Sequence, residues 1–303
     1  MDQSARLSSK TRPDNMPRVS AGISLSGEQQ KLVDAHFQLH AARWGEVYEE
    51  ASGEGAIYRE RSAAVLKWVD ELTMPLADRV LEIGCGAGVI AVALAQRGYV
   101  VEAVDSVADM LNSTRRYAAG AGMSSSVFTS LGDAHRLAFP DSAFGLVLTI
   151  GVLPYLHSPK TALAEMARVL KPGGFLLVTA GNRSRLTHVL DPWLCPALQP
   201  VKRVVRAILR RFRRPRSEPA GLSLRLDSLR ELEGWLSSVR LAKIKEKTVG
   251  FQPLTFHYRR LFGERTSVKW NRWLQRLADH NVPGIRSTGM DYIVLARKHK
   301  DIE

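Results

Sequence analysis

The segment Val80–Gly88, which reads VLEIGCGAG, constrains the fold of this chain more than any other. An apolar run breaks there into three glycines at alternate positions, and glycine lets a backbone turn tightly while a ligand lies against it. Residues 89–97 then have the composition of a helix, whose first N–H groups are free to bind an anion. The segment predicts a strand, a cofactor-binding turn and a helix in succession.

The glycine spacing distinguishes two classes of nucleotide site. A dinucleotide fingerprint, GxGxxG, would place its third glycine at position 89, which is Val89, whereas the third glycine here is Gly88. A second apolar run over residues 100–104 ends in Asp105. An acid at the tip of the second strand suits the two hydroxyls of a ribose. The pattern therefore favours a nucleoside cofactor other than a dinucleotide.

Three further landmarks follow in order: Gly132-Asp133-Ala134, an apolar run over residues 144–150, and the LKPGG turn at residues 170–174. Over about residues 58–181 the chain resembles class I S-adenosylmethionine (SAM) dependent methyltransferases, and residues 291–298 fit the family's last strand. The resemblance implies a Rossmann-like α/β fold, a doubly wound sheet of seven strands. That sheet is mostly parallel, with an antiparallel last strand inserted beside the fifth.

The resemblance also implies the cofactor contacts. In that family the glycine turn holds the methionine end of SAM, the acid after the second strand takes the ribose hydroxyls, and the Asp of the third landmark faces the adenine amino group. Carried over, the expected SAM contacts are Glu82, Gly84, Gly86, Gly88, Asp105, Ser106, Asp133 and Ala134, with Tyr58 from the preceding helix. One departure stands out, because many members have Phe-Asp where this chain has Phe144-Gly145. We expect the missing carboxylate to loosen the entry to the fourth strand.

The chain divides into five segments. Residues 1–25 are polar and predict a disordered tail, and residues 26–303 predict one methyltransferase domain. Within that domain we expect a helical lid over 26–73, a cofactor-binding core over 74–181, a basic insertion over 182–220 and the rest of the sheet over 221–303. Helices are predicted near 29–43, 58–72, 226–236 and 258–280, and the sixth and seventh strands at 242–251 and 291–298.

Composition narrows the function classes. The chain has 303 residues, of which 45% are hydrophobic, enough for one sizeable core. No apolar run reaches the roughly 18 residues of a membrane span and the first residues lack a signal-peptide core, so we expect a cytoplasmic protein. Only Cys85 and Cys195 are present, without metal-ligand spacing, so no metal site is expected. Cys85 reads as a small filler residue beside the cofactor.

The insertion carries most of the chain's excess charge. Residues 183–216 contain ten Arg and Lys residues against the single acid Asp191, a net of +9 within a chain of net +13. Apolar residues between 201 and 212 recur at helical spacing, and Trp193 lies upstream. An amphipathic basic helix can lie on an anionic membrane, clamp an acidic partner or simply pack on the sheet. The sequence leaves contact with membrane or lipid substrate through 193–216, plain packing and nucleic acid open, with packing favoured.

The acceptor side is predicted after the fourth strand, at the carboxyl edge where open α/β sheets bind ligands. His157, with Tyr155 as an orienting neighbour, is a candidate general base, and His257 is another. We expect a His157→Ala variant to keep SAM affinity and lose most turnover. The aromatic residues Phe37, Trp44, Tyr48 and Tyr58 suggest a lid, and the sequence Tyr58-Arg59-Glu60-Arg61 suggests a site that holds a carboxylate. For each aromatic residue, packing of the helices is an equal alternative.

Three functions remain in competition at this stage. The first is a methyltransferase that acts on a small molecule or lipid, with O- or C-methylation favoured. The second is a nucleic-acid methyltransferase, which is supported only by the isoelectric point of about 10.0. Against it, residues 150–153 lack the Asn/Asp-Pro-Pro-aromatic motif used for exocyclic base amines. The third is a non-catalytic SAM-binding protein. The identity of the acceptor and the oligomeric state are not readable from the sequence.

Overall fold

The computed structural model describes residues 26–191, 224–251, 254–256 and 259–300. Two helices, α1 (Ser26–Glu46) and α2 (Gly53–Asp70), precede the sheet. The first half of the sheet then alternates as β1 (Val80–Ile83), α3 (Val89–Ala95), β2 (Val101–Asp105), α4 (Ala108–Gly120), β3 (Val127–Leu131), β4 (Phe144–Thr149), α5 (Pro159–Val169) and β5 (Leu170–Gly181). The remaining elements are α6 (Leu186–Leu190), α7 (Leu229–Ser238), β6 (Leu241–Val249), β7 (Thr255–Phe256), β8 (Arg259–Arg260), α8 (Glu264–Asp279) and β9 (Asp291–Lys298).

Seven strands form the main sheet in the order β3-β2-β1-β4-β5-β9-β6. Neighbours from β3 to β5 pair in parallel, and β9 is antiparallel to both β5 and β6. This arrangement confirms the predicted doubly wound sheet with an antiparallel last strand beside the fifth. The order reverses between β1 and β4, so the ends of these two strands border the crevice where such sheets bind ligands.

The sheet is covered on both faces, which explains why its central strands are continuous apolar runs. Every residue of β1 and β4 is buried. On one face Leu163 of α5 and Trp235 of α7 pack on alternate strand residues, and on the other face Trp68 of α2 and Leu94 of α3 do so. The sheet therefore holds its carboxyl edge rigidly between two helical layers.

Two predicted elements differ from the structure. The LKPGG turn lies inside β5, because Leu170 already pairs with Phe144 and the ladder resumes at Leu146 and Phe175. The helix predicted from Tyr258 begins at Glu264, since Thr255 and Phe256 pair with Arg259 and Arg260 in a short hairpin. Local composition could not reveal either strand pairing, which depends on partners elsewhere in the chain.

Several predictions lie outside the described residues: the tail 1–25, Trp193 and the rest of 193–216, Cys195 and His257. Within the part of the chain that the structure describes, none of the helices combines the length and apolarity needed to cross a bilayer.

Candidate cofactor and acceptor site

The three glycines of the turn after β1 are each required for a different reason. Gly84, Gly86 and Gly88 have φ angles of +72°, +54° and +83°, a region that other residues adopt at a cost. A Cβ atom on Gly84 would lie 2.2 Å from Val152 Cγ2, and one on Gly88 would lie 2.7 Å from Thr114 Cγ2. A Cβ atom on Gly86 would meet nothing within 4 Å. Gly86 therefore opens onto a cradle that a ligand can fill.

Asp105 links this turn to the end of β2. Its Oδ2 accepts a hydrogen bond from the Gly86 N–H and its Oδ1 accepts one from the Val107 N–H, both at 3.0 Å. Burial raises the pKa of Asp105, and these backbone donors oppose the rise. Each carboxylate oxygen keeps a second lone pair, so the group can still accept hydrogen bonds from a ribose diol.

Glu82, in β1, lies beneath the same turn, and its buried side chain reaches the start of α3. Burial raises the pKa of Glu82 to about 8, opposed by a hydrogen bond from the Ala91 N–H. Its Oε2 is buried without a hydrogen-bond partner among the described residues. An unpartnered buried carboxylate oxygen calls for a donor, such as a ligand group or an ordered water. Nearby Cys85 is buried with a raised thiol pKa, which fits a filler residue and not a nucleophile.

Asp133 follows β3 and is exposed. Its Oδ1 accepts hydrogen bonds from the backbone N–H of His135 at 2.9 Å and from His135 Nδ1 at 2.6 Å. Although burial opposes it, these bonds lower the pKa of Asp133. The Ser158 N–H donates to His135 Nε2 at 3.4 Å, so the ring carries its proton on Nδ1. Ala134 is buried between the two polar residues.

His157 belongs to this same side of the site. Its ring stacks on that of His135 with a centroid separation of 3.7 Å. Burial lowers the pKa of His157 and His135 lowers it further. Tyr155, only two residues away, faces Phe37 of α1 at 5.0 Å. The structure therefore separates the two predicted catalytic residues, with His157 beside Asp133 and His135.

The N-terminal helices cover the carboxyl edge of the sheet. Asp34 of α1 accepts a hydrogen bond at 2.8 Å from the hydroxyl of Ser106, a predicted SAM contact at the end of β2. Phe37 and Trp44 pack against Val107 and Met110 at the start of α4. The predicted lid residues thus touch both the cofactor side and, through Phe37, Tyr155.

Aromatic rings form a continuous chain over the end of β4. Ring centroids lie 5.0 to 5.7 Å apart along Tyr155, Phe37, Trp44, Tyr58 and Tyr48. Burial raises the pKa of Tyr58, and it raises that of Tyr155 to about 12. Both phenols are therefore protonated at neutral pH and can donate a hydrogen bond. We call these five rings the aromatic cluster.

The sequence Tyr58-Arg59-Glu60-Arg61 does not act as one group. Arg59 Nη1 donates to the carbonyl oxygens of Tyr48 and Glu50 and so closes the loop between α1 and α2. Glu60 accepts a hydrogen bond from Asn271 in α8. Only Tyr58 and Arg61 face the site, with the Arg61 guanidinium 4.6 Å from the centre of the Tyr58 ring. The prediction that all four residues form a carboxylate-holding lid is wrong for Arg59 and Glu60, because their hydrogen bonds serve the fold.

Sequence reasoning missed His135 and Arg185. His135 was detectable, because an Asp-x-His spacing at Asp133 favours a local turn in which the carboxylate caps the next backbone N–H groups. Arg185 carried no distinguishing signal, since it lies within a run of arginines expected to be exposed. In the structure Arg183 is exposed, whereas Arg185 is partly buried and faces the interior.

The comparisons with known proteins agree with this geometry. Residues 81–178 match the family model described as "Methyltransferase domain". The chain is 28% identical over 156 residues to "Ubiquinone biosynthesis O-methyltransferase" of Thiobacillus denitrificans, covering 52% of this chain and 65% of that protein. It is 24% identical over 227 residues to the protein of the same name from Pectobacterium carotovorum. That match covers 74% of this chain and 87% of the Pectobacterium protein. The match thus spans slightly less than two thirds of the first relative.

Among solved structures, that of the [4+2]-cyclase SpnF superposes with a TM-score of 0.60 and 18% identity, covering 93% of this chain and 100% of that one. Similarity at this identity establishes the fold alone. The family match places a methyltransferase domain over residues 81–178, the fold agrees with it, and SAM is the cofactor expected for such a domain. The open cradle at Gly86 and the unpartnered Glu82 Oε2 fit such a group.

Proposed function

We propose that this protein transfers the methyl group of SAM to a hydroxyl oxygen of a small aromatic molecule. The observation that carries the proposal is the placement of the aromatic cluster against the turn after β4. In that turn Val152 packs on Gly84 of the cofactor loop. An acceptor ring that packs against this cluster would therefore lie next to the methionine end of SAM. The relatives, named O-methyltransferases of ubiquinone biosynthesis, support oxygen as the acceptor atom.

In this proposal SAM is held by residues from three strand ends. Gly84, Gly86 and Gly88 take the methionine end, with Glu82 offering its unpartnered oxygen to a donor of that part. Asp105 takes the ribose hydroxyls. The adenine is contacted by Ser106, Asp133 and Ala134. His135 joins these residues because it orients the Asp133 carboxylate through its ring N–H.

Methyl transfer requires alignment of the methyl donor and the acceptor more than proton transfer to the leaving group. When bound, SAM would supply a methyl group on its sulfonium sulfur, and the sulfur would leave as a neutral thioether. The acceptor hydroxyl would bind as the phenolate, its proton having passed to solvent. The aromatic cluster would position the acceptor ring, and such positioning can supply much of a rate enhancement. Tyr155 remains protonated and donates a hydrogen bond to the acceptor oxygen. The Arg61 guanidinium beside Tyr58 favours the ionised form of a nearby hydroxyl.

The decisive experiment incubates the purified protein with methyl-labelled SAM and a fractionated cell extract that separates polar metabolites, lipids and RNA. We expect label in a phenolic small-molecule or lipid fraction. An Asp105→Asn variant is the matched control, because it keeps the shape of the side chain and weakens SAM binding. Label confined to RNA would make the protein a nucleic-acid methyltransferase. SAM binding without any transfer would make it a non-catalytic SAM-binding protein.

Contact of residues 193–216 with an anionic membrane stays a prediction, because those residues lie outside the described part of the chain. Vesicles of anionic phospholipid added to the labelling reaction test it, since a surface-bound enzyme would transfer label faster to an acceptor dissolved in the vesicles.

A further inference from the structure

Two arginines and one aspartate meet in the interior beside the aromatic cluster. Arg61 of α2 forms an ion pair with Asp291, the first residue of β9, at 3.3 Å, and their side chains are 8% and 14% exposed. Arg185, which follows β5, faces the same carboxylate. Burial raises the pKa of Asp291, whereas the two guanidiniums oppose that rise.

The charges of this cluster do not balance. Arginine side chains stay protonated in proteins, so two positive charges face one carboxylate. The Nε atoms of Arg61 and Arg185 are both buried without a hydrogen-bond partner in the described part of the chain. Buried donors and charges without partners are costly, and native proteins leave few of them. One more anion with acceptor oxygens would satisfy the cluster.

The cluster lies next to the reacting edge of the sheet. A Cβ atom on Gly151 would lie 3.1 Å from Arg61 Nη2, so the guanidinium packs against the residue that precedes Val152. Val152 in turn contacts Gly84 of the cofactor loop. Thr179 Oγ1 accepts a hydrogen bond from the Gly151 N–H at 2.6 Å and holds this turn on β5. A molecule that packs against the aromatic cluster and reaches this turn would therefore lie close to Arg61 and to the methyl donor.

The backbone around Arg185 is held firmly. Asn182 is fully buried, and its Nδ2 donates to the carbonyl oxygens of Ser287 and Gly289 at 2.8 and 2.7 Å. Its Oδ1 accepts a hydrogen bond from the Ser184 N–H at 2.7 Å. The Leu186 N–H donates to the Thr288 carbonyl at 2.7 Å. These bonds fix the segment on both sides of Arg185, so its inward direction is built into the fold.

We infer that Arg61 and Arg185 form a subsite for a carboxylate, and that the methyl acceptor is an aromatic molecule carrying a carboxylate as well as the hydroxyl to be methylated. The planar fork of a guanidinium matches a carboxylate in geometry and charge. Asp291 keeps Arg61 in place and leaves Arg185 as the free partner. The inference rests on the proposed function for the identity of the second ligand group, the hydroxyl.

The test compares two probes of nearly the same shape, 3,4-dihydroxybenzoate and 3,4-dihydroxybenzamide, of which only the first carries a carboxylate. Binding is measured by calorimetry in the presence of saturating S-adenosylhomocysteine, so that the readout does not depend on turnover. We expect the wild-type protein to bind the carboxylate at least about tenfold more tightly than the amide. An Arg185→Gln variant should lose that preference. The matched control is Arg183→Gln, two residues away, which removes an exposed arginine paired with Glu231 and should keep the preference.

Thermal unfolding of each variant checks that the fold is intact, and Arg185→Lys replaces Arg185→Gln if the latter does not fold, because lysine keeps the charge and loses the fork. Equal binding of both probes, binding of neither, or a preference that survives in the Arg185 variant would overturn the inference. A different result would contradict the proposed function. Arginine-dependent binding without methyl transfer to either probe removes the proposed function and leaves the subsite. Equal methyl transfer to both probes, in the wild type and in the Arg185 variant, removes the subsite and leaves the proposed function.

Discussion

At the residue scale, the glycine turn shows that one residue type serves two purposes within five positions. Gly84 and Gly88 are glycine because protein atoms, in Val152 and Thr114, occupy the space of a side chain. Gly86 is glycine for a different reason, because its surroundings are open where the cofactor is expected to lie. The structural and the ligand-binding roles of these residues can therefore be separated by mutation.

We expect Gly86→Ala to weaken binding of S-adenosylhomocysteine by about tenfold or more, because the new methyl group enters the cradle. The positive φ of +54° adds a stability cost of about 1 kcal/mol. The matched control is Gly122→Ala, which has a φ of +71° and open space around it but lies after α4, away from the cradle. It should lose similar stability and keep full affinity in calorimetry. Unchanged affinity in Gly86→Ala would contradict a ligand position against Gly86.

At the element scale, the short 3-10 turn Leu153–Tyr155 after β4 separates the contacts of Tyr155 from those of His157. This turn lies next to the cofactor loop. The Tyr155 ring contacts Phe37 in the aromatic cluster, whereas His157 stacks on His135 next to Asp133. Sequence proximity had suggested a common catalytic role for the two residues. Their different contacts lead us to propose separate roles.

This separation changes the expected effect of substitutions. His157→Ala removes the ring that supports His135, so we expect affinity for S-adenosylhomocysteine to fall by about three- to tenfold. Tyr155→Phe keeps the ring packing on Phe37 and removes one hydrogen-bond donor, so it should lower turnover while cofactor affinity stays within about twofold. Calorimetry and labelled-methyl transfer measure the two quantities. A His157→Ala protein with full affinity and no turnover would restore the catalytic role that the sequence suggested.

At the scale of the whole molecule, the departure at Phe144-Gly145 is compensated from a distant segment. The Asp78 carboxylate, from the loop before β1, lies where a side chain on Gly145 would stand, with Oδ2 at 2.6 Å from a Cβ atom built there. The same carboxylate pairs with Lys171 in β5. A carboxylate is thus present at the entry to β4 although it comes from another part of the chain. Phe144 and Gly145 are both buried, and the ladder to β5 is irregular between Phe144 and Leu146, so the expected loosening of this strand entry stays a prediction.

A double-mutant cycle tests whether side chains at positions 78 and 145 compete for the same space. Gly145→Asp places a second carboxylate against Asp78, so we expect it to lower the free energy of unfolding by about 1–3 kcal/mol. Asp78→Ala alone removes a half-exposed ion pair and should cost about 1 kcal/mol or less. The double variant should be more stable than the sum of the two losses predicts, as measured by urea unfolding. Additive losses would show that the two side chains do not compete for one place.

The sequence alone predicted the cofactor half of this protein. Local rules suffice there, because a strand, a tight glycine turn and a helix are adjacent in the chain, and the acids Asp105 and Asp133 follow the strands that carry them. Buried strands of a parallel sheet are also continuous apolar runs in the sequence, so the order of β1 to β5 along the chain was predictable.

Only the tertiary structure brought together the residues of the proposed acceptor half. Its parts come from α1, α2, the turn after β4, the segment after β5 and the start of β9, which are separated by up to 230 positions, as in the pair Arg61 and Asp291. Contacts over such distances depend on how layers pack, and no local pattern records them. Arg185 shows the limit most clearly, because its sequence neighbours marked it as one of many surface charges. The fold turns it inward, because the buried hydrogen bonds of Asn182 fix the path of the chain.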